Sequence, residues 1–349
     1  SLNSRLRPDF ANLLFRERTM VSQYLVCSKG VGSIQRNLYW PHLKRVTAVL
    51  PPLEEQAAIV RFLGYANGRI QRYIQAKKKL IKLLEEQKRA IIHRAVTQGV
   101  NPGARLKPSG VEWLGDVPEH WEVRRLKTLF REVNKRSETG TETLLSLRMH
   151  QGLVPHEDVS DKPIPPSALV GYKHVVPGQL VMNRMRAAIG IFGVPTQAGL
   201  VSPDYAVFVP ASTVVPSYYL SLFKTEAMCS EFRLASKGLG TGSSGFMRLY
   251  TDQFGRLWVP LPPLDEQEEI LRAIEVESSE IESALSVARR EVELLREYRS
   301  RLIADVVTGQ LDVREAASNL PDSLIHPEEM DIEAEDSGDE FDEDEGVEN

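Results

Sequence analysis

The sequence predicts an α+β protein: one mixed α/β domain with much sheet and many loops, joined to two long helices that pack as a coiled coil. Three observations carry this. Pro51-Pro52-Leu53-Glu54-Glu55-Gln56 returns as Pro262-Pro263-Leu264-Asp265-Glu266-Gln267, and the 211-residue offset holds without a gap to Val96-Thr97 and Val307-Thr308. Each copy opens a long apolar pattern of helical period. Between the copies lies a Gly- and Pro-rich stretch of short apolar runs, the mark of strands and turns. A repeat this long implies two copies of one structural unit and a pseudo-twofold molecule.

Each element follows in order. Residues 1–50 read as the C-terminal remnant of a first globular domain whose bulk is missing. Ser28-Lys29-Gly30-Val31-Gly32-Ser33 resembles Ser236-Lys237-Gly238-Leu239-Gly240-Thr241, and Leu38-Tyr39 matches Leu249-Tyr250. Val46 to Leu50 is a strand-like run ended by Pro51-Pro52. The first helical region, 51–99, opens with Pro and with Glu54 and Glu55, which complement the helix dipole. Gly64 and Gly68 count against an unbroken helix there. From Arg69 onward Ile70, Ile74, Ile81, Leu84 and Ile91 fall on one face. Their counterparts Ile281, Leu285, Val292, Leu295 and Leu302 are all apolar, with much heptad-like spacing. One such helix needs a partner, and the nearest candidate is its own copy. Residues 68–97 alone would span about 45 Å.

Residues 100–105 are a linker after a Gly-containing helix end. The domain at 106–261 opens with Trp113, Val117 and Trp121 as candidate core anchors. Val175 to Met182 reads as turn then strand, Ala188 to Val194 and Ala206 to Val209 as strands, and Ser217 to Arg233 as one helix. The second helical region is 262–310. Residues 311–349 form a C-terminal segment, and from about Pro321 they read as a disordered acidic tail.

Composition narrows the function classes. A chain of 349 residues is long enough for about two domains. No apolar run approaches the roughly 20 residues that span a bilayer, and Ser1 to Arg5 does not open a signal peptide. Two cysteines, Cys27 and Cys229, are expected as free thiols in a reducing cytosol. The formal charge of −5 hides an asymmetry: residues 327–349 hold 13 acidic residues and no Lys or Arg. Taking those from the 48 acids leaves 35 against 43 basic residues, or +8 for the rest. Two readings stand side by side. One is a polyanion-binding body with an acidic tail; the other is a mixed surface with a solubilising tail.

Motifs for bond chemistry are absent. Gly240-Thr241-Gly242-Ser243-Ser244-Gly245 has G-x-G-x-x-G spacing, but no helical pattern follows it, so a loop near a polyanion fits better than a cofactor site. Ser202-Pro203-Asp204-Tyr205 lacks the first Asn/Asp and second Pro of the amino-methyltransferase box. There is no phosphate-binding G-x-x-x-x-G-K-[ST] loop and no metal-ligand spacing; His150 and His156 read as polar surface. What remains is basic and loop-rich. Arg148, Lys173, His174, Asn183, Arg184, Arg186, Lys237 and Arg248 are placed in or near loops, with Ser243 and Ser244 in the Gly-rich loop. Arg can read guanine edges, Asn adenine, and Lys can hold phosphates. For each residue the alternative is a solvated surface charge. Met182-Asn183-Arg184-Met185-Arg186 is the best single stretch, because two guanidiniums and an amide follow directly from a strand.

Taken together, the Pro-Pro-Leu-x-Glu-Gln helix ending near Val-Thr, the following Lys107-Pro108-Ser109-Gly110-Val111-Glu112-Trp113-Leu114-Gly115-Asp116-Val117-Pro118-Glu119-His120-Trp121, Val181 to Arg186, and Gly199 to Tyr205 resemble the specificity subunit of type I restriction-modification systems. The resemblance covers about residues 20–315. It implies two target recognition domains alternating with two helical regions, the helices packed antiparallel as a spacer, and each domain reading half of a bipartite double-stranded DNA site. It implies a cytoplasmic, non-catalytic subunit with no cofactor of its own. The helices would dock modification subunits, which bind S-adenosylmethionine and methylate adenine at N6; a translocase-nuclease restriction subunit completes the complex. Only the second recognition domain, 106–261, is expected whole, and two chains pairing through their helices would restore the symmetry. A 45 Å spacer at about 3.4 Å per base pair caps the half-site spacing near ~13 base pairs. Two other classes compete with this reading: a coiled-coil adaptor without DNA readout, which the Arg-rich stretches disfavour, and a stand-alone methyltransferase, which the absent cofactor motifs disfavour.

Overall fold

The computed structural model describes residues 5–31, 35–149, 151–239 and 246–321. The chain begins with α1 (Pro8–Arg16), α2 (Arg18–Cys27), β1 (Ser28–Val31), β2 (Gln35–Leu38), α3 (Trp40–Leu43) and the long α4 (Leu53–Gln98). It continues through β3 (Leu106–Pro108), β4 (Asp116–Pro118), β5 (Glu122–Arg125), α5 (Leu126–Leu129), β6 (Phe130–Val133), β7 (Leu145–Arg148), β8 (Gly152–Pro155), α6 (Pro166–Leu169), β9 (Lys173–Val175), β10 (Leu180–Met182), β11 (Phe192–Gly193), β12 (Gly199–Val201) and β13 (Ala206–Pro210). Then come α7 (Pro216–Phe223), α8 (Glu226–Ala235), β14 (Lys237–Leu239), β15 (Phe246–Arg248), α9 (Thr251–Phe254), β16 (Trp258–Leu261), α10 (Leu264–Val307) and α11 (Arg314–Ser318). The chain divides into two compact units, residues 1–83 with 285–349, and residues 84–284. Each long helix passes from one unit to the other.

In the first unit the apolar stripe of α4 closes on that of α10. Ile59, Leu63, Ile70, Ile74, Val292, Leu302 and Val306 are buried together with Phe10, Leu13, Leu14 and Met20. Lys77 Nζ lies 2.6 Å from Glu291, and Arg299 donates to Gln71 at 3.3 Å. As one helix rises in number the other falls, so they run antiparallel here. The second unit repeats the sense with Lys88–Glu282 at 2.6 Å and Arg94–Glu277 at 3.8 Å. These exposed pairs set direction more than stability. Of the other stripe positions Ile281 and Leu285 are buried, while Ile81, Leu84, Ile91 and Leu295 are half-buried.

Gly64 and Gly68 do not break the first helix: α4 is continuous over 46 residues. Two glycines cost about 1 kcal/mol each in a helix, which the burial of neighbouring Ile59, Leu63 and Ile70 exceeds. Three other expectations are corrected. Ser217–Arg233 is two helices, because Thr225 caps α8 by accepting the Met228 N–H. Ala188–Val194 is not a strand: Ala187–Ile189 is a 3-10 turn ending at Gly190 (φ 77°), and only Phe192–Gly193 pairs. Val46–Leu50 forms no ladder. Gln23 occupies the Thr47 peptide on both sides, donating to its carbonyl and accepting its N–H, each at 3.3 Å.

The second unit is built on a four-stranded antiparallel sheet in the order β11-β10-β13-β6. One face packs on an aromatic core in which Phe130, Phe192, Phe208, Phe223, Phe232 and Phe254 meet at ring distances of 4.9–6.4 Å. The buried phenol of Tyr218 donates to Val96 O (2.7 Å), fixing the end of α4; that of Tyr219 donates to Pro260 O (2.9 Å). Burial raises both phenols far above their usual range. Trp121 is fully buried, and its indole donates to Glu266 at 2.9 Å. On the other face Leu145, Leu147, Leu153, Val175, Ile191 and Val201 bury Val181 and Val207.

The internal repeat reaches further back than the sequence pattern showed. α1, α2 and β1 match α7, α8 and β14 at an offset of 208, whereas β2, α3 and α4 match β15, α9 and α10 at 211. The difference lies between the paired hairpin strands, where the first copy has residues 32–34 and the second 240–245. The Gln of the repeated Pro-Pro-Leu motif explains why that motif recurs. Gln56 donates to Arg5 O and Pro51 O (2.8 Å each) and accepts the Arg7 N–H (2.9 Å). Gln267 donates to Thr213 O and Pro262 O (2.9 Å each) and accepts the Val215 N–H (2.8 Å). Both are fully buried. In each unit one carboxamide ties the start of a long helix to the Pro-Pro pair before it and to the chain entering a short helix, α1 in the first unit and α7 in the second.

Candidate nucleic-acid interface

The sequence-predicted residues gather around the end of β10. Met182 is fully buried, and the chain then turns outward. The Asn183 carboxamide closes that turn by accepting the N–H groups of Met185 (3.1 Å) and Arg186 (3.2 Å), an Asx-type use of a short polar side chain. Asn183 therefore shapes the turn through its oxygen. Arg184 points back along the sheet. Its Nη2 donates to Glu132 on β6 (2.5 Å) and to Thr251 (3.3 Å), and its carbonyl accepts the Leu249 N–H (2.9 Å). Arg186 is half-buried.

Glu132 also lies 3.8 Å from Lys173 Nζ. Lys173 is only 3% exposed and donates to Tyr205 O at 2.6 Å. Burial first, then the neighbouring Arg184, pushes its amine below the usual lysine range. An amine so enclosed is not offered to a phosphate, which corrects its placement in a surface loop; it braces the strand that carries it. Arg136 is bridged to Lys173 through the backbone and donates to Gly171 O at 2.9 Å. His174, next along β9, has its Nε2 3.4 Å from Glu142. The Ser137 hydroxyl holds the Glu142 carboxyl below its ordinary range.

Arg248, on β15, forms a two-pronged pair with Asp204: Nη2 to Oδ1 at 2.8 Å and Nη1 to Oδ2 at 3.1 Å. Its guanidinium lies 5.5 Å over the Tyr250 ring. The Arg148, Arg184 and Arg248 Nε atoms are buried with no hydrogen-bond partner. Arg148, Lys173, His174, Lys237 and Arg248 thus stand on strands rather than in loops, for the plain reason that these strands are only three or four residues long. Lys237 is exposed, opposite Arg248 in the β14–β15 register. Ser243, Ser244 and the Gly240–Gly245 motif lie outside the described residues, as do His150 and the acidic tail.

The geometry brings Lys173, Arg184 and Arg248 into one neighbourhood with Glu132 and Asp204, and sets Lys237 beside Arg248. Sequence reasoning missed both acids as partners. Asp204 stood in a stretch already singled out, and its spacing from Tyr205 was the available signal. Glu132, in Phe130-Arg131-Glu132-Val133, carried none. Such an arrangement can present guanidiniums whose orientation is fixed by carboxylates. This is the state in which Arg recognises an acceptor pair with little entropy left to lose.

Comparisons with known proteins agree on one family. Residues 173–286 match the type I restriction modification DNA specificity domain. The MjaX type I restriction enzyme specificity subunit of Methanocaldococcus jannaschii is 24% identical over 303 residues, covering 80% of this chain and 63% of that protein. The MjaVIII specificity subunit of the same organism is 24% identical over 323 residues, covering 87% of this chain and 70% of that one. The chain thus spans somewhat under two thirds of the MjaX relative's length. A solved chain described under "Structural basis underlying complex assembly and conformational transition of the type I R-M system" shares the fold, with a TM-score of 0.63 at 18% identity over 87% of this chain and 72% of that one. Residues 173–286 thus carry the signature of a type I restriction modification DNA specificity domain, and the relatives this chain is similar to along most of its length are type I restriction enzyme specificity subunits.

Proposed function

We propose that this chain is the non-catalytic, sequence-reading scaffold of a type I restriction-modification complex in the cytoplasm. Residues 106–261 act as a target recognition domain on double-stranded DNA. The helical regions 51–99 and 262–310 dock modification subunits, which bring S-adenosylmethionine and methylate adenine at N6; a restriction subunit joins them for cleavage. The observation that carries the reading is the family match over residues 173–286, which coincides with the clustering of Arg184, Arg248 and Lys237. Arg248, oriented by Asp204 and by the Tyr250 ring, has only its remaining outer Nη N–H groups to offer a base edge unless Asp204 is displaced, and exposed Lys237 suits a phosphate. Lys173, Glu132 and Asn183 support them from behind.

The test is selection of bound duplexes from a random pool by the chain together with its modification partner. A defined consensus is expected, and Arg248→Ala should relax it at about one position with a loss near ~1–3 kcal/mol of discrimination. Equal affinity for every sequence at fixed salt would sink the reader assignment and favour a structural adaptor.

A further inference from the structure

We infer that Asp204 is itself a specificity-determining residue: its carboxylate accepts the amino group of a cytosine in the major groove, and Arg248 is the positioning residue that aims it. The inference rests on the reading of residues 106–261 as a DNA-reading domain, and it names one base class which that domain selects.

In the Arg248–Asp204 fork the guanidinium is the inner partner and the carboxylate the outer one. The Arg248 side chain is 18% exposed and that of Asp204 55%. The Arg248 Nε is buried, Nη1 and Nη2 both donate to Asp204, and Met185 Sδ lies 3.9 Å from Nη1. A duplex that approaches this site meets the carboxylate before the guanidinium.

The chemistry of the outer partner then decides what it can hold. An ionised carboxylate accepts hydrogen bonds and donates none, and its two oxygens carry about four lone-pair sites. The fork takes one site on each oxygen, which leaves an acceptor on each. A phosphate has no donor to give them. In the major groove the donors are the amino groups, cytosine N4 and adenine N6. Adenine sets its N7 acceptor beside N6, where it opposes the second carboxylate oxygen; cytosine has no acceptor on that edge. Arg248 balances the charge that the carboxylate brings among the phosphates, and exposed Lys237, opposite Arg248 in the hairpin register, leaves the patch with two cations to one acid.

Asp204 is also held in place. The Tyr205 N–H donates to Ser202 O at 3.1 Å, closing the turn that carries the aspartate, and the Asp204 N–H reaches Ser202 Oγ at 3.4 Å. The buried amine of Lys173 grips Tyr205 O at 2.6 Å, one residue further on. Arg248 in turn lies 5.5 Å from the centre of the Tyr250 ring. A carboxylate braced in this way loses little freedom on binding a base. A surface ion pair with no further role contributes little and requires no such bracing.

The experiment starts from the consensus that the chain selects together with its modification partner. Affinity is measured by anisotropy for duplexes carrying each of the four base pairs in turn at each consensus position. Wild type should prefer a C·G pair at one position by about 10-fold. Asp204→Ala should abolish that preference and leave the other positions unchanged. The lost negative charge strengthens binding to every duplex alike and cancels in the ratio. Asp204→Asn keeps the shape and an oxygen for Arg248 and gains an amide donor, so its preference at that position should move from cytosine to adenine; misfolding cannot create a new preference. Arg248→Ala should relax the same position, and adding it to Asp204→Ala should change the preference no further, since a positioning residue acts only through the group it positions. If Asp204→Ala keeps or sharpens the wild-type preference at every position, Arg248 does the reading and Asp204 masks it: the inference is overturned and the domain assignment stands. A consensus without a C·G pair, or an Asp204→Asn variant that still selects cytosine, overturns it in the same way. A wild-type chain that selects no consensus overturns the domain assignment as well.

Discussion

Replacing Gln267 by Ala removes a side chain that is fully buried and makes three hydrogen bonds of 2.8–2.9 Å, to Thr213 O, Pro262 O and Val215 N–H. Each such bond contributes about 1 kcal/mol net, and each backbone group left dry costs at least as much. Truncating the buried stem adds about 1–2 kcal/mol. A loss of about 3–5 kcal/mol follows, a large share of a typical domain's total. Gln267→Glu sharpens the test. The shape is kept and the Val215 N–H still finds an oxygen. The second carboxylate oxygen now faces two carbonyls, so the folded state favours the protonated acid and its carboxyl is raised above the usual range. A raised folded-state value means the variant keeps its stability at acid pH and loses it as pH rises through that value. The assay is urea unfolding followed by tryptophan fluorescence. Trp113, Trp121 and Trp258 belong to the second unit and Trp40 to the first. Gln267→Ala should shift the fluorescence transition strongly, whereas Gln56→Ala, its twin in the first unit, should shift it much less while lowering helix content seen by circular dichroism. If Gln267→Ala costs under about 1 kcal/mol, the backbone groups are finding water and the clamp reasoning is wrong.

Three further outcomes are expected. Gly64→Ala should raise stability by about 0.5–1 kcal/mol, measured as a higher urea midpoint, because a methyl there meets nothing within 4 Å and a helical glycine is entropically costly. Gly140→Ala should cost about 3 kcal/mol or more and show as a lower melting temperature. Its φ is 68°, and an added Cβ would lie 2.0 Å from the Pro166 carbonyl oxygen. Deleting residues 327–349, with their 13 acids, should tighten binding to a scrambled duplex at low salt if the tail competes with DNA for the basic surface; anisotropy that does not move would end that idea.

Much of this molecule is written locally. A repeat at an offset of 211 residues, an apolar stripe at helical spacing and an acidic first turn require no tertiary knowledge, since periodicity along the chain maps directly onto one face of a helix. The two long helices were accordingly legible, as was the strand ending at Met182 with the residues after it placed in or near a loop. Short strands were not. Phe192–Gly193 pairs over two residues, too few for an alternating pattern to declare itself. Nor was the break at Thr225, where one capping hydroxyl outweighs an apolar run that suits a single helix.

The sequence by itself determined the family resemblance, the repeat and the direction of its charge. Only the tertiary structure decided which cations are free to act. Lys173 and Lys237 look alike as letters. One is sealed against Tyr205 and Glu132, the other stands in solvent. The partners that separate them lie 32 and 41 residues away from Lys173 in the chain, brought close by sheet pairing that no local pattern encodes. The repeated glutamine makes the same point. Its presence was plain from the motif. Its work, holding two carbonyls and an N–H from segments up to 54 residues distant, exists only once the chain has closed around it.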